Sequence, residues 1–392
     1  LTTDPRRLPY WRLSAFYLFY FAILGAMVPY WTVFLRARGM SAFEIGQLMA
    51  VGTLTRIVAP WASAWLGDRV PRRIAVVRLS ALLMTLVFCG MFVAHGFWQV
   101  ALITAAFGFF WNAALPQFEI VTLGHLGSAG NLYGRIRLWG SVGFIGVVLA
   151  GGWLLERAGI ETLLLVLLAT MGGTFVSSLL VPDRVGAPAV QARASLRVAL
   201  RQPAALGFLA AALLMQTSHG PYYAFYSILL EDLGYARTAV GALWALGVVA
   251  EVAMFLALAR LLPRLGAARV FMASLLLAGG RWLLIGHGAP ALAWLLPAQL
   301  LHAASFGAFH VAALAQVQRF FPGALQGRGQ ALYSGLCMGG GGAVGGVLSG
   351  VLWDGLGATR VFELAALAAL LGAALWAWLS RYASEPANAA AG

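Results

Sequence analysis

The chain has 392 residues, 61% of them hydrophobic and 10% charged, with a formal net charge of +13. Globular domains run at about 45–50% apolar and 25% charged, so this composition excludes an ordinary soluble protein. Apolar runs of about 20 residues recur along the whole chain and predict a polytopic helical membrane protein. All 26 basic residues are Arg. Without Lys, neither a P-loop nor a Schiff-base enzyme is available. Cys89 and Cys337 lie inside apolar runs and read as small core residues, not as a disulfide.

In chain order, twelve apolar segments are predicted, at 12–35, 42–66, 74–94, 98–123, 136–156, 160–181, 204–230, 238–262, 270–288, 291–318, 331–352 and 359–380. The first follows Arg6, Arg7 and Arg12 without a small-residue cleavage site, so it reads as a retained span. The loop 182–203 carries four Arg and three Pro and falls midway. It divides the chain into an N-terminal bundle (1–181), a cytoplasmic linker, a C-terminal bundle (204–383) and a short tail (384–392). With both ends on one side, that side holds 19 Arg against 5, which places both termini in the cytoplasm. The basic charge is thereby a topology signal, and a nucleic-acid partner is not expected.

A shift of 195 positions superimposes Gly39 on Gly234, Gly46 on Gly241, Leu48 on Leu243, Gly52 on Gly247 and Arg56 on Glu251. The repeat predicts an all-α integral membrane protein with 12 transmembrane helices in two pseudo-symmetric six-helix bundles. Opposite charges at equivalent intramembrane places suit a rocking transporter with a midplane site.

Charges inside hydrocarbon usually face a partner or a wet cavity. Glu119 and Arg137 stand on adjacent antiparallel runs either side of a Gly/Ser/Asn-rich turn, and are expected at the rim of a binding cavity. Arg56, Glu251 and Arg281 also read as intramembrane charges, and His302 lies in the tenth run. His219, Tyr222 and Tyr226 share one helical face, and Pro221 breaks that helix and frees carbonyls for a polar lining. Tyr20, with Tyr17 and Phe21, adds an aromatic wall from the first run. The glycine run 337–346 reads as close helix approach or a flexible gate. No HExxH, nucleophile elbow, P-loop or cluster of metal ligands occurs, so no catalytic residue, metal or cofactor is expected.

AWLGDRVPRR, at 64–73, resembles the signature loop of the major facilitator superfamily, with Ala64 and Pro71 in place of glycines. The equivalent loop LLPRLGAARV keeps Arg264 but has Pro263 where the acid would stand. The resemblance implies a gating latch of Asp68, Arg69 and Arg73. NAALPQFEIVTL and YGRIRLWGSVGF, at 112–123 and 133–144, resemble the lactose permease family of oligosaccharide–proton symporters. The stretches 219–251 and 300–314 look closer to its 3-phenylpropionate permease branch. The pattern implies Glu119 and Arg137 as a substrate-contacting pair, and Glu251, Arg281 and His302 as the proton-coupling network. Ser305 stands where that family has its proton-carrying glutamate, which passes the proton to Glu251 or His302.

The expectation is therefore a proton-coupled symporter working by alternating access on an aromatic carboxylate such as 3-phenylpropionate. Substrate contacts are Glu119, Arg137, Arg56, His219, Tyr222, Tyr226 and Tyr20. A neutral sugar or nucleoside is the alternative, and a membrane-embedded sensor or enzyme the remote one. The partners are then a small solute, a proton and membrane lipid. The expected setting is a bacterial-type inner membrane, with the protein a monomer.

Overall fold

The computed structural model describes residues 8–70, 72–183 and 196–382. Pro71, Arg6, Arg7, Arg184, Arg193, most of the expected linker and the tail 384–392 lie outside the described residues. The described chain is all-helical: α1 (Tyr10–Ala37), α2 (Ala42–Gly67), α3 (Arg73–Cys89), α4 (Phe97–Leu126), α5 (Tyr133–Ala158), α6 (Leu163–Leu180) and the short α7 (Arg197–Leu200) come first. They are followed by α8 (Pro203–Ser218), α9 (Gly220–Asp232), α10 (Arg237–Leu265), α11 (Ala267–Gly288), α12 (Leu292–Leu300), α13 (Phe309–Phe320), α14 (Gln326–Leu332) and α15 (Gly342–Leu379).

Among the described residues, nine helical stretches are long and apolar enough to cross a membrane, by length and composition. The last of these, Gln326–Tyr382, bends at Gly357, whose φ of 76° a residue with a side chain rarely adopts. α2 and the broken pair α8–α9 are not among the nine.

Local chemistry sets the breaks. Ser41 caps α2 by accepting from the Glu44 backbone N–H at 3.3 Å, and the Glu44 carboxylate accepts from the Ser41 N–H at 2.8 Å. Pro221, in the first turn of α9, offers no N–H, so α8 ends at Ser218 and the chain restarts at Gly220. The tenth run is interrupted by a π-helical segment at Ala303–Ala308, and the glycine-rich run by another at Tyr333–Gly341. Such wide turns often accompany functional sites.

Packing is glycine-led where helices touch most closely. A Cβ at Gly25 of α1 would sit 2.6 Å from the Phe144 carbonyl of α5. Aromatic rings fill the α1–α4 seam, with Phe16 stacked on Phe118 at 3.6 Å between centroids. One end of the molecule, which carries Arg36, is tied shut. There Gly46 of α2 faces Gly346 and Gly350 of α15, and Gly241 of α10 faces the Val148 carbonyl of α5. Arg36 of α1 pairs with Glu231 at 3.2 Å and with Asp232, while Arg237 pairs with Glu231 at 2.8 Å and donates to the Leu155 carbonyl at 2.9 Å.

Candidate functional site

A central hollow with two lobes lies between helices from before and after residues 184–195. The larger lobe, about 180 Å³, is bounded by Leu24 and Val28 of α1, Met49, Thr53 and Arg56 of α2, His219 and Tyr223 at the α8–α9 break, and Phe306 of the π-helical segment. The smaller, about 80 Å³, shares the α1 and α2 residues and adds Trp31, Thr104, Phe107, Trp111 and Asn112. No carboxylate lines either lobe. Arg56 lines both, is exposed, and has no hydrogen bond or ion pair among the described residues.

These walls follow from helical spacing. Met49, Thr53 and Arg56 are four and three apart, as are Leu24, Val28 and Trp31, so each set forms one stripe. Thr104, Phe107 or Gly108, and Trp111 make the matching stripe on α4. The same periodicity was legible in the sequence, although Thr53, Trp111 and Phe306 were not among the expected site residues.

Tyr20 is 5% exposed and donates its hydroxyl to the Trp111 carbonyl at 3.0 Å, so it backs the smaller lobe. His219 borders the larger lobe but is almost wholly buried, with Nδ1 2.8 Å from the Met215 carbonyl. Tyr222 and Tyr226 turn away into the interior. Tyr222 donates to Gln299 at 2.9 Å, and both rings pack on Trp244. The ring from this helix that reaches the hollow is Tyr223. Tyr223 is four residues after His219, and the Tyr223 N–H donates to the His219 carbonyl at 3.1 Å, so regular helical spacing puts Tyr223 beside His219 on the hollow while Tyr222 faces the interior.

Glu119 and Arg137 are both half-buried, and among the described residues they form no direct ion pair. Glu119 accepts from the Tyr133 hydroxyl at 3.2 Å. Arg137 lies 3.8 Å over the Phe21 ring, a cation–π contact, yet remains near enough to Glu119 and Glu251 to act on both electrostatically. Neither Glu119 nor Arg137 lines the two lobes.

Glu251 and His302 meet, with Oε2 3.5 Å from Nε2. His302 stacks parallel on Phe306 at 5.3 Å, and His310 follows on the other side of that ring at 6.4 Å. Arg281 does not join Glu251. Its Nε donates to the Ala298 carbonyl at 2.9 Å and its Nη1 to Ser305 at 3.1 Å, behind the His302 ring. Ser305 therefore accepts from this buried guanidinium. At the end opposite Arg36, Asp68 pairs with Arg73, which also donates to Gln117 at 3.0 Å. Arg69 stays with its own helix, donating to the Trp65 carbonyl at 3.0 Å and lying over the Trp65 ring.

A multi-pass helical protein with a solute-sized hollow between two groups of helices has the build of a membrane transporter. The model of the MFS_1 like family matches residues 10–364, and the chain belongs to that family, within the major facilitator superfamily. It falls in the 3-phenylpropionic acid transporter branch, related to sugar permeases, and is a transporter and not an enzyme. It is 33% identical over 377 residues to the probable 3-phenylpropionic acid transporter of Escherichia coli, covering 91% of this chain and 94% of that one. It is 28% identical over 335 residues to the maltose permease of Geobacillus stearothermophilus, covering 82% and 83% respectively. In fold it is similar to the crystal structure of the nucleoside transporter NupG, with a TM-score of 0.80 at 17% identity over 95% of this chain and 99% of that one.

Proposed function

We propose that the chain is a proton-coupled symporter of a small aromatic carboxylate, of the 3-phenylpropionate kind, working by alternating access. One observation carries this reading. Arg56 is the charged side chain common to both lobes of the hollow, it is unpaired among the described residues, and no acid lines the walls. A guanidinium set among Trp31, Phe107, Trp111, Tyr223 and Phe306 complements an anion carried on an aromatic body. The lobes of about 180 and 80 Å³ are small beside the 300–1,000 Å³ of usual ligand sites, which favours a small solute over an oligosaccharide. The relative described as a probable 3-phenylpropionic acid transporter points to the same chemistry.

In this reading twelve spans form two six-helix bundles, 1–181 and 204–383, joined by a cytoplasmic linker. The spans are α1–α6, the pair α8–α9, α10, α11, the pair α12–α13, and the two arms of Gln326–Tyr382 on either side of Gly357. The excess of Arg on one side assigns the Arg36 end to the exterior and both termini to the cytoplasm. The exterior gate is then the closed one. Asp68 and Arg73, paired within the 1–181 bundle, serve the gate on the cytoplasmic side, and the protein acts as a monomer in a bacterial-type inner membrane.

Coupling runs through Glu251. Its carboxyl touches His302, and His310 and, from the facing bundle, Arg137 act on it electrostatically. Protonation of Glu251 removes one charge from that cluster and so changes the attraction between the bundles. Of the expected substrate contacts, Arg56 binds the carboxylate and Tyr20 and His219 support the walls. Glu119 and Arg137 lie outside both lobes and act on the site through their charge, and Tyr222 and Tyr226 pack α9 against Trp244. A neutral solute is the second reading, favoured by the hydrogen bond between Glu119 and Tyr133, which could extend to a sugar hydroxyl.

The test is uptake of labelled 3-phenylpropionate into proteoliposomes under an inward proton gradient. Gradient-driven accumulation is expected, with Glu251→Gln abolishing accumulation while exchange of internal for external substrate persists. Accumulation of a sugar or nucleoside in place of the acid would overturn the substrate assignment.

A further inference from the structure

Behind the hollow, inside the helices that follow residue 196, lies a buried polar cluster built around Tyr222. Arg281 is fully buried, its guanidinium 4.1 Å from the Tyr222 ring and 4.7 Å from the Trp282 ring. Its two hydrogen bonds go to neutral acceptors, the Ala298 carbonyl and the Ser305 hydroxyl. Among the described residues no carboxylate comes within ion-pair distance of it, and Nη2 has no partner. Gln299, also fully buried, accepts from Tyr222 through Oε1 and leaves Nε2 unpaired. The Tyr226 hydroxyl, its ring 5.0 Å from that of Tyr222, is buried beside the Gln299 amide and makes no hydrogen bond of good geometry, and the Tyr222 hydroxyl stands beside Arg281. Two of these three groups can only donate, and the third donates readily. Glu251 meets His302 Nε2 at 3.5 Å and makes no ion pair with Arg281.

A guanidinium removed from water with only neutral acceptors is strongly unfavourable unless a negative charge joins it. We propose that this cluster binds a small monovalent anion of chloride size, held by Arg281 Nη2 with Gln299 Nε2 and the Tyr226 hydroxyl. Arg281, Gln299 and Tyr226 are fully buried and line neither lobe, so the site is distinct from the central hollow. The anion supplies the counter-charge that Ser305, a neutral residue beside Nη1, does not. Water is the competing occupant. It can satisfy the same donors, and the imidazole nitrogens left over at His219 Nε2 and His302 Nδ1, but it carries no charge.

The test uses the purified full chain in detergent at constant ionic strength, with chloride or bromide set against gluconate. The unfolding temperature should rise with halide and saturate, as for a ligand that binds only the folded state. Bromide should also quench the emission of Trp282 in a saturable way, and Trp282→Phe should remove that component. Ser305→Asp places a carboxylate beside Nη1, so it should abolish the halide response. An unfolding temperature indifferent to halide means that water alone occupies the cluster, and an equal response in Ser305→Asp means that halide acts elsewhere; either result overturns the proposal. If Ser305→Asp does not fold, anomalous diffraction from crystals of the wild-type protein grown in bromide decides. A bromide peak beside Arg281 supports the site, and its absence refutes it.

Discussion

The closed end should open when a single methyl group is added at Gly46. A Cβ there would lie 2.6 Å from the Gly346 carbonyl oxygen and 3.0 Å from the Gly350 Cα, both backbone atoms that cannot rotate aside. Gly350 meets α2 as tightly, since a Cβ on it would lie 2.5 Å from the Ala42 carbonyl oxygen. Reaching ordinary contact requires α2 and α15 to part by most of an ångström. Overpacking of this kind costs roughly 1–3 kcal/mol, which corresponds to a shift of about 5–150-fold toward the outward-open state. The gain in helix propensity of Ala over Gly, about 1 kcal/mol, acts in both states and cancels. Gly52→Ala on the same helix is the control, because its Cβ would meet only the Thr104 methyl, at 3.8 Å. The readout is labelling of Thr53→Cys by an impermeant maleimide in right-side-out vesicles, with Cys89 and Cys337 replaced by Ser. Gly46→Ala should raise the labelling rate well above that of Gly52→Ala. Equal rates in the two variants, with both proteins in the membrane, would refute the reasoning.

The ion cluster at that end should matter less than the glycine seam. Glu231→Gln breaks contacts with Arg36 and Arg237, and partly exposed pairs contribute about 0.2–1 kcal/mol each, so its opening effect should be about 2- to 30-fold and should fade in high salt. Asp68→Asn leaves Arg73, 9% exposed, with only neutral amide-oxygen acceptors and no counter-charge, and should lower stability by about 1–3 kcal/mol, read from denaturant unfolding. Asp68→Glu should recover most of that loss. Tyr223→Ala, which removes a ring from the wall of the larger lobe, should weaken binding of an aromatic acid more than Tyr226→Phe, whose hydroxyl lies away from the hollow. Isothermal calorimetry on the two variants checks the order.

Much of the helical scaffold was legible because hydrocarbon allows few alternatives to a helix. The predicted segment 42–66 became Ala42–Gly67, and 238–262 became Arg237–Leu265. Pro221 announced the break in the seventh segment correctly. The π-helical segments at Ala303–Ala308 and Tyr333–Gly341 were not announced, because a wide turn leaves no residue signature of its own. The candidate site was legible in its residue types more than in its contacts. Arg56 could be found as an intramembrane charge, and Glu251 and His302 do meet. Tyr222 and Tyr223 lie three and four residues after His219, so spacing allows either beside it, and the choice depends on how α9 packs against its neighbours. The partition of Arg281 away from Glu251 depends on how α11 and α12 pack, and sequence spacing says nothing about packing between helices.

The most direct test is equilibrium binding of 3-phenylpropionate and of its uncharged amide to the purified protein and to Arg56→Gln. A charge-assisted contact contributes about 1.5–3 kcal/mol, so the acid should bind the wild-type protein roughly 10–100-fold more tightly than it binds the variant. The amide should bind both proteins alike. Equal binding of acid and amide to the wild-type protein, or an acid affinity unchanged in Arg56→Gln, would contradict a hollow built around a lone guanidinium.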